Sequence, residues 1–390
     1  MKKKIIFVTK ALWIGGIETA LVNLLKYFDY DKYDVTLLVL KAELDMLEQI
    51  HPKCRVLIAD REKTVTFQER YRYGRLFHLT EKSDAPSRLH KMMMWTVPII
   101  RWAENRLYIR YIKKQMKNER FDTAVIYSDV AGETAIRAIK ADKYLMFYHH
   151  GAMRHVYHDK IAYKKCEKII AVSEHQAEAL RKFNPRYSGK VTAIPNLTDV
   201  AGIRGKSLVL TREQFDTTKF NIVSVGRVSH EKGMDLAVKA CSELVKGGND
   251  NIRWWIIGDG PAMQEVKKMI KELHMERYVI TVGMQKNPYP YIRQADLYVQ
   301  PSRFEAFGLT ILEAMILGKA VLATDTMGAH EIINDGKNGL ICDVPGKGMA
   351  GQIKELILDL KKLAKLERAV RKIDFIEHNR NNLSRIEELI

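Results

Sequence analysis

Along most of this chain, short runs of β-branched and aromatic residues alternate with longer segments whose apolar residues recur at helical spacing. No other feature limits the fold as much. Parallel strands cannot be joined by tight hairpins and need crossover connections, usually helices, so this alternation is the pattern of a parallel sheet covered on both faces. Strands are predicted in the first half at Ile5–Thr9, Val35–Leu40, Val56–Ala59, Ala124–Tyr127, Leu145–Tyr148, Ile169–Val172 and Val191–Ile194. After Pro195 the rhythm lapses into a polar stretch to about Lys219, which reads as a linker. It restarts with Asn221–Val225, Trp254–Ile257, Val279–Val282, Leu297–Gln300, Ala320–Leu322 and Leu340–Cys342. Two doubly wound α/β domains are therefore expected, over residues 1–197 and 218–375. From about Gln352 the spacing is helical with no further strand, and residues 376–390 are expected to cross back to the first domain.

Composition narrows the class further. A chain with 46% hydrophobic and 28% charged residues is neither disordered nor fibrous. Its four cysteines, Cys54, Cys166, Cys241 and Cys342, are far apart and form no CxxC, so neither a disulfide framework nor a zinc site is expected, and a cytoplasmic setting fits. Met1-Lys2-Lys3-Lys4 before an apolar run resembles a signal peptide, but Lys10 and Glu18 interrupt it and a first strand is the better reading. No window reaches the length of a membrane span, the nearest being Met92 to Ile100.

The net charge of +17 is unevenly spread, since residues 61–120 hold 15 basic and 6 acidic residues. Inside this segment the run Met92–Ile100 lies between Lys91 and Arg101, with Trp102, Tyr108 and Tyr111 nearby. Apolar residues with Trp and Tyr at a basic boundary suit an anionic membrane surface, which would make the protein peripheral to a membrane. The same run would equally serve as a buried helix of an enlarged first domain. Nucleic acid is not expected, because no recognised binding motif accompanies the charge.

Candidate chemistry gathers where strands end. Pro301–Ala314 follows the strand Leu297–Gln300 and leads into a helix, which sets Glu305 in a loop at the carboxyl edge of the sheet, where open α/β folds bind ligands. Gly308 allows close backbone approach, and the N–H groups near Leu309 and Thr310 at the helix start suit a phosphate. Glu313 follows on the first turns, where a carboxylate can accept both hydroxyls of a ribose, while Glu305 can accept those of a second sugar. The plainer alternative is that Glu313 complements the helix N-terminus and Glu305 is a solvated loop charge. Val225–Gly233 is a second such loop, offering Arg227 and Lys232 as two cations for a diphosphate, or simply as solvated charges. Gly258-Asp259-Gly260-Pro261 ends another strand without the GxGxxG spacing of a dinucleotide fingerprint.

In the first half, the paired glycines of Leu12–Glu18 allow backbone N–H groups to meet a phosphate from the opposite side, or serve only a turn. His150 closes the strand Leu145–Tyr148, where an imidazole can meet a sugar hydroxyl. His155 and His158 lack a carboxylate or cysteine to complete a metal set, so no metal is expected.

Taken together, Glu305 and Glu313 spaced as E-x7-E, the continuation through Leu317–Val321 and Gly328–Ile333, and Gly226-Arg227 with Lys232 resemble glycosyltransferase family 4. The resemblance spans nearly the whole chain. It implies the GT-B fold, two Rossmann-like domains facing across a cleft, and retaining, metal-independent transfer from a nucleotide sugar. It further implies that Arg227 and Lys232 bind the donor diphosphate, that Glu305 contacts the donor sugar and that Glu313 binds the ribose. Phe307, Gly308 and Leu309 would give backbone contacts, Gly16 would approach the diphosphate from the first domain, and His150 would contact the transferred sugar. The base would lie near Gly258, Gly283 and Met284. No cofactor is implied beyond the nucleotide-sugar co-substrate, for which UDP is the commonest choice in the family. The acceptor would be a glycan or lipid-linked hydroxyl in capsule, exopolysaccharide or cell-wall synthesis. Many members have Gly-Gly where this chain has Met327-Gly328, and Glu-Gly-Phe where it has Glu305-Ala306-Phe307, which bears on the donor rather than the reaction. A UDP-sugar epimerase of the same fold and a non-enzymatic membrane- or RNA-binding protein are the competing readings, whereas a nicotinamide-dependent oxidoreductase would need a GxGxxG that Ile14–Ile17 does not supply.

Overall fold

The computed structural model describes residues 2–60, 105–128, 131–149, 160–211, 213, 215–343 and 348–390. The expected alternation becomes two all-parallel sheets. In the first domain, β1 (Lys3–Thr9), β2 (Tyr33–Val39), β3 (Arg55–Ile58), β4 (Arg120–Ile126), β5 (Lys140–Tyr148), β6 (Lys168–Ala171) and β7 (Val191–Ala193) lie in the order β3-β2-β1-β4-β5-β6-β7. In the second, β8 (Phe220–Val225), β9 (Ile252–Ile257), β10 (Val279–Gly283), β11 (Leu297–Gln300), β12 (Val321–Thr324) and β13 (Leu340–Cys342) lie in the order β10-β9-β8-β11-β12-β13. Each sheet reverses direction of winding once, between β1 and β4 and between β8 and β11, and a crevice opens at each such switch point.

The strands are apolar runs because both faces are covered. Ile6, Val8, Ile126 and Met146 join the core on one face of the first sheet, and Ile5, Phe7, Val125 and Leu145 join the core on the other. Burying each such side chain contributes about 1.5–3 kcal/mol. The second sheet is built alike, with Ile222, Trp254 and Val299 on one face and Val223, Trp255 and Tyr298 on the other. β4 and β5 begin earlier than their apolar runs, because their first residues alternate exposed and covered before becoming wholly buried.

The stretch read as a linker has structure of its own. Val200–Lys206 is a short helix capped by Asp199, whose Oδ1 accepts from the Gly202 N–H at 3.0 Å. Val200, Ile203 and Phe215 are buried in the second domain's core, with Phe215 stacked on Trp255 at 4.3 Å. The last helix, Phe375–Leu389, returns to the first domain as expected. Asn379 exchanges two hydrogen bonds with the backbone of Thr198 (3.0 and 2.6 Å), and Ile386 and Ile390 enter the core beneath β1 and β4.

The run Met92–Ile100 and Trp102 lie outside the described residues, as do His155 and His158. Tyr108, left between a membrane-facing and a buried setting by the sequence, is a core residue. It is 1% exposed, and its hydroxyl donates to the carbonyls of Leu40 (3.0 Å) and Ala59 (2.6 Å), which ties residues 105–115 to the ends of β2 and β3. Among the described residues no helix is long and apolar enough to cross a membrane.

Candidate functional site

The loops after β8, β9 and β11 meet at the second sheet's switch point, held backbone to backbone. Gly258 donates to the Gly283 carbonyl at 2.9 Å, and a Cβ on Gly258 would sit 1.9 Å from the Gly226 carbonyl oxygen, with φ +144° disfavouring any side chain. Gly258 is thus a packing necessity beside whatever it offers a base. Gly258→Ala is expected to destabilise the fold by about 3 kcal/mol, read as a lower urea midpoint; an unchanged midpoint would show that the loops can separate without cost. A second rivet is Arg303, whose guanidinium grips both carboxylate oxygens of Asp235 (2.7 and 2.6 Å) and the His230 carbonyl (2.8 Å). That pairing holds the Asp235 carboxyl below its usual pKa against the opposing effect of burial.

The clamped loops bring three of the expected residues together. Lys232 Nζ donates to Glu305 Oε2 at 2.6 Å, and their side chains remain 25% and 12% exposed, so an ion pair lines the crevice without being sealed from it. Arg227 is exposed on the same loop as Lys232, and its charge acts on Glu18 of the first domain. Gly308, with φ +86°, turns the chain into the helix Leu309–Ile316, whose first N–H groups have no intrahelical acceptors. Thr310 turns its hydroxyl inward to Gln300 Oε1 at 2.8 Å, which leaves its backbone N–H, not its side chain, for an anion.

Glu313 is more enclosed than its position on the first turns suggests. It is 7% exposed, its Oε1 accepts from the Tyr289 hydroxyl at 3.2 Å, and burial pushes its carboxyl up to about 7, opposed by Tyr289 and by the charge of Lys206. Gly283, at φ +82°, ends β10, and Met284 follows it with 65% of its surface exposed. An exposed thioether at a strand end suits a flat base.

From the first domain, Gly16 starts the helix Gly16–Tyr27, and a Cβ on it would stand 3.7 Å from Leu309 Cδ1, so the glycine loop and the Leu309 helix start face each other across the cleft. Besides its backbone, Phe307 brings a ring that is 5% exposed and, with Ala306, packs into the first domain's core, which makes it an anchor between domains. Gly328 lies against it so closely that a Cβ there would be 2.6 Å from the Phe307 carbonyl carbon. A further tie crosses the cleft where Glu331 Oε2 accepts from the Glu174 N–H at 2.8 Å and so caps the helix Glu174–Phe183.

His150 lies outside the described residues. Its neighbour His149 packs against Tyr127 with ring centres 4.7 Å apart. Sequence reasoning passed over Glu18, the third residue after Gly15. It is 5% exposed in the turn below the glycines, and burial raises its carboxyl to about 7 against the opposing charges of Lys10 and of Arg227 from the other domain. A carboxylate as the one charged residue of the mostly apolar stretch Ile17–Leu25 was the available signal. Among the described residues no group of three His, Cys, Asp or Glu could hold a metal ion.

Two parallel-sheet domains that meet loop to loop at their switch points define the GT-B architecture. Sequence comparison agrees, because the profile of the Glycosyltransferase Family 4 domain matches residues 14–201 and that of Glycosyl transferases group 1 matches residues 210–373. The chain belongs to this glycosyltransferase family. Its fold is that of Anabaena Alr3699/HepE in complex with UDP and glucose, with a TM-score of 0.71 at 18% identity over 99% of each chain. It is also that of TarM, with a TM-score of 0.72 at 13% identity over 100% of this chain and 99% of that one. Among curated proteins it is similar to N-acetylgalactosamine-N,N'-diacetylbacillosaminyl-diphospho-undecaprenol 4-alpha-N-acetylgalactosaminyltransferase of Campylobacter jejuni, 28% identical over 53% of this chain and 54% of that one. It is likewise similar to alpha-D-kanosaminyltransferase of Streptomyces kanamyceticus, 33% identical over 31% of each. The matched segments thus span about half or less of these two relatives.

Proposed function

We propose that this protein transfers a sugar from a nucleotide diphosphate donor, a UDP-sugar, to a hydroxyl of a glycan or lipid-linked acceptor, with retention of the anomeric configuration. The observation that carries this reading is the Lys232–Glu305 pair at the mouth of the crevice, with Arg227 on the same loop as Lys232 and the Leu309 helix start opposite Gly16. Cations and free N–H groups converge there on the volume a diphosphate would fill, and a carboxylate stands next to it for the sugar. In the reaction the bond from the anomeric carbon to the phosphate oxygen breaks, with its electron pair leaving on UDP. The acceptor oxygen bonds to that carbon on the same face, and its proton passes to the departing phosphate. Arg227, Lys232 and the N–H groups of Leu309 and Thr310 stabilise the charge that develops on the leaving group, the role a metal ion would otherwise fill.

The choice of UDP is supported by the complexes of HepE with UDP and glucose. A lipid-linked acceptor is supported by the diphospho-undecaprenol in the name of the Campylobacter relative and by the basic segment 61–120, which would hold the protein at the inner face of a bacterial membrane. Titration calorimetry of the wild type with UDP, GDP and ADP, without added metal, tests the donor site. UDP is expected to bind at least about tenfold more tightly than the others, since a pocket that hydrogen-bonds one base rejects its analogues. Preference for another nucleotide would change the donor class, and binding of none would overturn the reading.

A further inference from the structure

A chain of buried polar side chains runs behind Glu305. At the end of β11, Gln300 is 1% exposed, and its Oε1 accepts from both the Tyr298 hydroxyl (2.6 Å) and the Thr310 hydroxyl (2.8 Å). With Oε1 taken up by the two hydroxyls, Nε2 faces Ser302, to whose Oγ it donates at 2.8 Å. Ser302 is wholly buried; with its oxygen accepting from Gln300, its own proton is directed to Glu305 Oε2 at 3.4 Å. Lys232 donates to that same oxygen. Both donors therefore engage Oε2, and Glu305 Oε1 has no hydrogen-bond partner among the described residues.

Building on the donor reading above, we propose that Gln300 is a positioning residue. Acting through Ser302, it holds Oε2 of Glu305 on Lys232 and leaves Oε1 for a hydroxyl of the transferred sugar, while Thr310 ties this setting to the phosphate-binding helix start. The direction of the hydrogen bonds matters more than the packing. An amide accepts from two hydroxyls and still donates to Ser302 at any pH, so it keeps Glu305 an acceptor at the end of the chain. Gln300 touches neither phosphate nor sugar, and its influence reaches the sugar only through the oxygen it orients.

The test compares Gln300→Met, which keeps length and volume, with Gln300→Glu and Thr310→Val, each first shown by thermal melting to be folded. UDP affinity is measured by calorimetry, and acceptor-free hydrolysis is followed for whichever of UDP-glucose and UDP-N-acetylglucosamine the wild type cleaves. In Gln300→Met, UDP should bind within about twofold of the wild type while hydrolytic kcat/KM falls about tenfold; Thr310→Val should show the same split more weakly. In Gln300→Glu the loss should be larger at pH 8 and partly regained toward pH 6, because only the protonated carboxyl presents a donor to Ser302. A merely structural residue would give the opposite order, with the near-isosteric Glu milder than Met and no recovery at low pH. Hydrolysis at the wild-type rate in Gln300→Met, or equal losses of UDP affinity and hydrolysis, would overturn this proposal and leave the donor reading standing. Failure of the wild type to bind UDP or either UDP-sugar would overturn both.

Discussion

Lys232→Ala should lower transfer from the nucleotide-sugar donor by about 10²–10³-fold, the largest effect expected of any one side chain here. Two losses combine in it. The variant removes the compact charge best placed to meet a leaving diphosphate, and it strands Oε2 of Glu305, 12% exposed, without the ammonium now 2.6 Å away. A carboxylate left beside a developing anion repels what Lys232 attracted. Lys232→Arg is expected to recover only part of the rate, since a planar fork that spreads its charge over three nitrogens cannot place it at the same point. The measurement is single-turnover hydrolysis or transfer at saturating donor, with thermal melting as the control that the variant is folded at the assay temperature. A variant within threefold of wild-type turnover would move the leaving-group chemistry away from this loop.

Glu313→Ala is expected to weaken UDP about 100-fold, the loss of hydrogen bonds from two ribose hydroxyls to a carboxylate. Since only the ionised carboxyl accepts both, and burial holds it near 7, UDP affinity should rise about tenfold from pH 6 to pH 8. Glu18, also near 7 and drawn toward Arg227, works in the opposite sense, because ionising it adds negative charge under the diphosphate. The rise is therefore cleanest in Glu18→Gln, and it should vanish when Glu313→Gln is added. For stability the sign runs the other way from donor binding. Both carboxyls have folded-state values above their unfolded ones, so their contribution is complete below about 4.5 and is lost as pH rises through about 7. Each Gln variant should consequently gain on the wild type in melting temperature between pH 5 and pH 8. Wild-type affinity for UDP in Glu313→Ala at pH 8 would remove the ribose assignment.

How far the sequence could be read depended on whether the deciding partner was local. Strands such as β8 and β11 were legible because a parallel strand covered on both faces is an unbroken apolar run bounded by turn residues. The polar first residues of β5 were missed, since strand pairing and not burial makes them extended. The helix Val200–Lys206 was invisible for a related reason: it contains Gly202 and Gly205, and it forms because Val200 and Ile203 find a core. At the site, the E-x7-E spacing and the pair Arg227 and Lys232 could be placed from strand ends alone. The burial of Glu313 depends on Tyr289, and the setting of Arg303 on Asp235, 68 residues earlier. Gln300 and Ser302 gave no signal, since a polar residue at a strand end reads as the approach to a loop. Tyr108 shows the converse case, an aromatic among charges that suited a membrane face or a buried helix alike until its hydroxyl is seen to serve two buried carbonyls.

The return of the helix Phe375–Leu389 to the first domain has a temporal side. A ribosome delivers the chain from its N-terminus, yet Ile386 and Ile390 belong to the core that holds Ile5, Phe7 and Leu21. The second domain's core is already complete with Val370 and Phe375. The domain synthesised first is thus finished last, waiting with an uncovered apolar seam while the other forms behind it, and the two halves mature as one unit although each has its own sheet.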